Sequence, residues 1–384
     1  MTAADPPGRA GSQAGQAVQA GRFAAQLLTG EPARSAVEVV GRLLGVQGQD
    51  PRGVRLAIRA RSAGLAAADV DRALTGERSL LITWLNRGTL HLVRAEDYWW
   101  LHPLTTPQLA AASARRLAQE GVPPADADRG VAAIEAALEH GPLTRAALRD
   151  RVASAGVRTE GQALVHVLLL ASLRGRIVRG PMIGGEHGYV LVSDWLGTPS
   201  APLDRDTALA ELARRYLAGH GPAADRDLAK WAGVPLRDAR RGLTAIGSEL
   251  TERDDGLVSL AVGSTGAGGR NDTGFPPPRL LGAFDPLLHG WVSREPVLGD
   301  QQGIVTSNGV FRPFALVRGR AVAIWSMPRG RVTLAPFVSL AADDEAALLA
   351  DAADVLRFLA CGALPPVAEG SDVTGMISRP PAPK

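Results

Sequence analysis

An α+β architecture is predicted for this chain: three tandem winged-helix units, each a group of helices followed by a β-hairpin, and then a C-terminal β-rich region with a closing helix. Three observations predict it. The order helix, helix, hairpin recurs three times between residues 20 and 263. His-Gly-Pro stands at 140–142 and again at 220–222, ahead of a helical pair each time, which is a visible internal repeat. Beyond a Gly- and Pro-rich stretch at 264–278 the pattern changes to short apolar runs separated by turn residues.

Composition narrows the class. With 384 residues and 46% hydrophobic content, the chain is long enough for several cores and too apolar for a disordered protein. A net charge of +3 does not by itself announce nucleic acid. Lys230 and Lys384 are the only lysines, and every other basic side chain is arginine, which grips phosphate with paired donors. A GC-rich coding sequence would give the same bias. Cys361 is the single cysteine, so no disulfide forms within the chain. No histidine has ligand spacing with another His or Cys, so no metal and no cofactor are expected. Apolar runs such as 167–171 are too short to span a bilayer, and residues 1–19 lack the apolar stretch of a signal peptide. We expect a cytoplasmic monomer with no membrane contact.

Taken in order, residues 1–19 read as a disordered lead-in. The first unit, 20–125, starts a helix at Gly21, and Ser35 caps the next. Helices follow over 54–62 and 69–74. Apolar, β-branched runs at 80–85 and 89–93 flank Asn86-Arg87-Gly88 and predict a hairpin. Its alternation sets Leu90 and Leu92 on one face and Thr89, His91 and Val93 on the other. Tyr98 begins a connecting helix. In the second unit, 126–200, helices span 128–140, 144–153 (capped by Thr144) and 159–173 (capped by Thr159). A strand at 177–179, a Gly-rich tip with His187 and a return strand at 189–192 complete it. The third unit, 201–263, has helices over 204–218, 225–231 and 236–246, then a hairpin over Asp254-Asp255-Gly256. The C-terminal region, 279–362, predicts strands at 280–284, 303–305, 314–317, 321–325 and 331–336 and a helix over 343–359. The tail is 363–384.

The stretch that carries chemistry is Gln47-Gly48-Gln49-Asp50-Pro51. Asp50 precedes a proline and Gly48 weakens any helix, so the segment reads as extended. Residues two apart in an extended chain point the same way, which brings the Gln47 and Gln49 amides to one point. Each amide offers an acceptor and a donor pair, and neither titrates. They can fix a water and set a carbonyl dipole against developing positive charge. That suits cleavage of a bond whose leaving group is already activated. Asp50 reads as a turn-forming residue ahead of Pro51.

Three segments together resemble a known family. They are 44–52, Leu-Gly-Val-Gln-Gly-Gln-Asp-Pro-Arg; 84–93, Trp-Leu-Asn-Arg-Gly-Thr-Leu-His-Leu-Val; and 280–286, Leu-Leu-Gly-Ala-Phe-Asp-Pro, with Phe311-Arg312-Pro313. In this order they are similar to the bacterial winged-helix DNA glycosylases of the AlkZ/YcaQ type, over about residues 20–360. The resemblance implies three winged-helix units stacked into a curved DNA-binding surface and removal of N7-alkylated purines from double-stranded DNA. In some members it extends to unhooking of antibiotic interstrand crosslinks. It also implies a catalytic Gln-x-Gln or Gln-x-Asp pair, and Gln47 and Gln49 match the first, self-resistance branch. Gly48 departs from the apolar middle residue common there. The family's minor-groove hairpin falls, by position, around Arg318 and Arg320. DNA contacts are then expected from Arg52, Arg55 and Arg59 after the loop, Arg87 and His91 on the hairpin, Arg237 and Arg240 on the third unit's second helix, and Arg312, Arg318 and Arg320. A second reading stays open: a non-catalytic DNA-binding protein, such as a drug-responsive regulator. The Gln pair separates the two, because a regulator needs no convergent amides on a loop.

Overall fold

The computed structural model describes residues 7–197, 203–261 and 274–360. Residues 1–6, most of the Gly- and Pro-rich stretch and the tail lie outside them. Unit one comprises α1 (Pro7–Ala25), α2 (Ala36–Leu43), β1 (Val46–Gln47), α3 (Pro51–Arg59), α4 (Ala67–Thr75), β2 (Leu80–Leu85) and β3 (Thr89–Arg94). The helix expected from Gly21 extends back to Pro7, so the lead-in is helical there. Ser35 caps α2 as expected, its hydroxyl accepting from the Glu38 amide at 3.1 Å. Leu44, at φ 60°, ends α2 and turns the chain into β1. The hairpin turn places Asn86 at φ 55° and Gly88 at φ 80°, conformations that Asn and Gly adopt most readily. Helices α5 (Tyr98–Thr105) and α6 (Pro107–Gln119) lead to the second unit.

Unit two holds α7 (Pro124–Leu138), α8 (Arg145–Ser154), α9 (Ala163–Leu173), β4 (Ile177–Ile183), β5 (Glu186–Leu191) and α10 (Val192–Leu196). Thr144 caps α8, accepting from the Ala147 amide at 3.2 Å. Thr159 does not cap α9, which starts after Gln162. His187 sits inside β5, buried, not on an exposed tip. Unit three holds α11 (Arg205–His220), α12 (Asp225–Ala232), α13 (Leu236–Ala245), β6 (Leu250–Glu252) and β7 (Val258–Leu260). The C-terminal region comprises β8 (Arg279–Leu281), α14 (Glu295–Leu298), β9 (Phe314–Val317), β10 (Arg320–Ser326), β11 (Thr333–Pro336) and α15 (Ala342–Ala360). Residues 303–305 form no strand; Val305 makes a single bridge to Phe311.

The hairpins of units one and two are one sheet, in the order β1-β3-β2-β4-β5, joined where Ile82 pairs with Arg179. Its first hairpin is buried on both faces. Leu80, Ile82, Trp84, Leu90 and Leu92 enter the core of units one and two. Leu81, Leu85 and Val93 enter a core shared with unit three and the C-terminal region. The C-terminal strands form an antiparallel sheet, β11-β10-β9-β8, with α15 packed on it through Leu348 and Val355.

Helix α3 is fastened by buried arginines. Arg55 pairs with Asp71 on α4 and donates to the Pro51 carbonyl at 2.7 Å. Arg59 reaches Asp351 at 2.8 Å and Asp354 at 3.1 Å on α15, and the Leu280 carbonyl at 3.0 Å. Arg61, just past the helix, meets Asp285 at 2.7 Å, with both side chains fully buried. The backbones also touch: a Cβ at Gly53 would lie 2.3 Å from the Ala283 oxygen, so glycine is required there. The segment 280–286, the third of those that mark the resemblance, therefore clamps the helix that follows the Gln loop.

Candidate active site

Strand β1 is short but well placed. Val46 pairs with Leu92 and Gln47 with His91, and the Gly48 amide donates to the Leu90 carbonyl at 2.7 Å. Val46 and Gln47 are extended in β1 and Asp50 is extended ahead of Pro51, while the chain bends at Gln49 and Asp50. Directly opposed residues of an antiparallel pair share a face, so Gln47 and His91 both lie on the side of unit three. Gly48 is not in the left-handed region, and a Cβ there would make only ordinary contact with Ile82 at 3.5 Å, so the position accepts a side chain as well.

Gln47 is 7% exposed, and its Oε1 accepts from Arg87 Nη2 at 3.4 Å. Arg87 Nη1 donates to the Trp231 carbonyl at 2.7 Å and to the Lys230 carbonyl at 3.3 Å, at the end of α12. A guanidinium has donors only, so this contact turns the Gln47 carbonyl toward Arg87 and its NH2 away. Gln49 differs: its Oε1 is buried and has no hydrogen-bond partner among the described residues. Asp50 caps α3 by accepting from the Gly53 amide, which commits its carboxylate to the helix terminus.

The imidazoles beside the pair are neutral. Burial, then the Arg87 charge, pushes His91 down to about 3. Its Nδ1 meets the Thr89 carbonyl at 2.9 Å; a carbonyl only accepts, so Nδ1 carries the proton. His289 is held well below the ordinary histidine value by burial, Arg87 and Arg294. Its ring lies 4.3 Å from Phe311 and stacks at 12° on Phe284, whose own φ is 56°. Burial and the neighbouring Arg294 lower Arg87 to about 10, which leaves it protonated at neutral pH.

The structure gathers Gln47, Arg87 and His91 at one place and scatters the other expected residues. Arg55 and Arg59 are 0% and 2% exposed and their guanidiniums are used up in internal ion pairs, which corrects the expectation that they face DNA. Arg87 is engaged with carbonyls and Gln47, so it positions the loop instead of projecting outward as a phosphate contact. His91 is likewise buried, at 3% exposed, and is not a surface DNA contact. Arg52 is half-buried and has no partner among the described residues, and Arg312 is exposed beside Phe311. On α13, Arg240 is bound to Asp225 at 2.7 Å, whereas Arg237 is 86% exposed and only 3.8 Å from Asp238. Arg318 pairs with Asp344 at 3.3 Å, and Arg320 with Glu295 at 3.4 Å. The tip between them, Gly319, is buried against Phe23 of α1, so this hairpin is docked and is not a free probe.

Sequence reasoning missed Lys230, His289, Arg294, Arg329 and Arg331. Lys230 was legible as the chain's lone internal lysine. Arg329 and Arg331 lie in the turn between β10 and β11, both exposed and without side-chain partners among the described residues. The Pro-Arg-Gly-Arg run at 328–331 is a turn signal whose last residue, Arg331, also opens the strand expected at 331–336. Among the described residues no group of three or more His, Cys, Asp or Glu side chains is placed to hold a metal, and no helix is long and apolar enough to cross a membrane.

The chain is 27% identical over 365 residues to an interstrand DNA cross-link repair glycosylase of Streptomyces sahachiroi, covering 88% of this chain and 96% of that protein. The solved structure of the Streptomyces sahachiroi DNA glycosylase AlkZ superposes with a TM-score of 0.71 at 27% identity, over 89% of this chain and 96% of the other. The family pattern of the AlkZ-like DNA glycosylases matches residues 40–358, and with so much of its length matched the chain belongs to that family.

Proposed function

We propose that this protein hydrolyses the N-glycosidic bond of N7-alkylated purines in duplex DNA, as a monofunctional glycosylase. Its substrates include bulky adducts or interstrand crosslinks left by a DNA-alkylating natural product, and the role is self-resistance. The observation that carries the reading is the division between two amides on one loop. Arg87 holds Gln47, while the Gln49 carbonyl oxygen is buried and unpartnered.

An N7-alkylguanine is already cationic, so its glycosidic bond breaks without a strong acid to protonate the base. Positive charge develops on the sugar, as in glycoside cleavage generally. The Gln49 carbonyl is the free dipole that meets that charge or holds the attacking water. The Gln47 NH2, turned away from Arg87, orients the same water from the other side. Asp50 serves the helix cap. The neutral histidines add no repelling charge beside a cationic base.

For the minor-groove probe, the turn between β10 and β11 fits better than the docked Arg318–Arg320 hairpin, because Arg329 and Arg331 stand exposed there. Membership in a glycosylase family and the free Gln49 acceptor both weigh against the regulator reading. The test is single-turnover incubation with duplexes carrying N7-methylguanine or a bulky N7 adduct, followed by heat or alkali to reveal abasic sites. Strand breaks at the modified base are expected. Tight binding to one operator with no abasic site formed would refute the proposal.

A further inference from the structure

The corner beside Gln47 holds positive charge without matching carboxylates. Buried arginines on α3 and just after it are answered by acids: Arg55 by Asp71, Arg59 by Asp351 and Asp354, Arg61 by Asp285. Arg87, Lys230 and Arg294 have no ion-pair partner among the described residues. Arg87 donates to the Lys230 and Trp231 carbonyls. Lys230 Nζ donates to the Val292 carbonyl at 3.1 Å. Arg294 Nε donates to the Leu288 carbonyl at 2.7 Å, and its guanidinium lies 5.0 Å over the Phe311 ring. The three are interlocked, since Arg87 rests on the backbone of Lys230 and Lys230 reaches the residue two before Arg294.

The carboxylate that acts on Lys230, Asp227, is already engaged. It accepts from the Val292 amide at 2.8 Å and the Ala224 amide at 3.0 Å, and Arg22 stands 3.7 Å away. His289 lies within the field of the same cations, with Nε2 buried and unpartnered. After burial, the charges of Arg294 and Arg87 are what lower the Lys230 ammonium, so the group senses its neighbours. Lys230 is exposed and Arg294 half-buried, so both are reachable from solvent.

Uncompensated like charges in a partly desolvated corner are destabilising, and a ligand of opposite sign relieves them. The lesion base of the proposed reaction is a cation and is repelled here. A phosphodiester is the anion that a DNA substrate supplies beside every sugar. We propose that Lys230 and Arg294, with Arg87 behind them, form the seat for one backbone phosphodiester of the lesion strand, next to the nucleotide whose glycosidic bond meets Gln47 and Gln49. Lys230 Nζ and the Arg294 Nη groups are the direct donors. Arg87 is a positioning residue that couples this seat to the Gln47 amide. The inference rests on the glycosylase reading and deepens it: a seated phosphate fixes the sugar against the glutamines.

The experiment replaces single phosphates along a lesion-bearing strand with neutral methylphosphonates and measures affinity for wild-type protein, a Lys230→Gln/Arg294→Gln double variant and a charge-preserving Lys230→Arg/Arg294→Lys variant. Wild type is expected to lose about tenfold at one phosphate beside the lesion. The neutral double variant should bind the all-phosphate duplex about tenfold more weakly and show no further loss at that phosphate, with its salt slope lowered by about 1. The charge-preserving variant should keep the wild-type profile, which separates lost charge from lost folding. A double variant with wild-type affinity and the same phosphate profile would overturn the seat. Excision by the wild type is scored in parallel, so a failure of the glycosylase reading shows there and not in the phosphate map.

Discussion

In the proposed reaction Gln49 and Gln47 act through different atoms on one water, so each can be removed by itself. Gln49→Ala and Gln47→Ala should fold and bind DNA but each lose excision by about 100-fold or more, the size expected when one preorganised dipole is removed at developing charge. The double variant should be barely slower than the poorer single one, because the amides hold one water and act as a unit. Gln49→Glu supplies a carboxylate that can also orient water, so activity on small N7-methylpurines should persist while bulky adducts suffer. Equal single-turnover rates for wild type and both alanine variants would place the chemistry elsewhere. The histidines yield a second expectation. His91, His187 and His220 are each held at about 3 by burial, far below their unfolded value. The folded state keeps them neutral while the unfolded chain binds their protons below about pH 6.5. Stability is therefore full above that pH and falls as pH drops from about 6.5 toward 3. Excision, resting on amides, should be flat between about pH 6 and 9; a bell-shaped profile would reveal a titrating base that this site lacks.

Helix α3 shows how an element can be misread from spacing alone. Arg52, Arg55 and Arg59 look like one basic face, and a one-dimensional pattern does not say whether that face meets solvent or acids brought from residues 71, 351 and 354. Arg59→Ala would leave Asp351 without its cationic partner, holding only the Leu280 amide, and break the ion pairs between the Gln loop's helix and α15. A loss of about 3–5 kcal/mol in urea unfolding is expected, with excision falling only through the unfolded fraction. Little change in stability would mean that the clamp is carried by Gly53 and Ala283 instead. The two hairpins of the C-terminal sheet offer a paired comparison. Arg329→Ala/Arg331→Ala should weaken duplex binding with the saturated rate retained, because tip contacts position the duplex. Arg318→Ala/Arg320→Ala, on the docked tip, should leave affinity near wild type. The reverse ranking would return the probe to the first hairpin.

At the scale of the molecule, the winged units are not beads on a string. Units one and two share a sheet through Ile82 and Arg179, and Arg87 ties that sheet to α12 of unit three. The Gln loop thus sits where two units and the C-terminal region meet, a place from which a duplex could touch several modules at once. Affinity for random-sequence duplex should fall steeply with salt, since released counterions scale with phosphate contacts. Full excision in excess chelator is also expected, as a cationic leaving group needs no Lewis acid; activity that zinc or magnesium restores would contradict it.

The sequence by itself determined the α+β class, the order of helices and hairpins, the non-helical Gln segment between α2 and α3 and the hairpin turn at Asn86-Arg87-Gly88. These follow from local rules: hydrophobic period, capping by Ser35 and Thr144, and turn residues that tolerate positive φ. Only the tertiary structure decided which charges are free. Arg55, Arg59, Arg318 and Arg320 meet acids from distant positions, whereas Arg87, Lys230 and Arg294 meet carbonyls and keep their charge uncompensated. A single arginine reads the same in sequence whether its partner is a carboxylate, a carbonyl or a phosphate. The partner is brought by chain segments up to 295 residues away, and that choice is made by packing and not by neighbours.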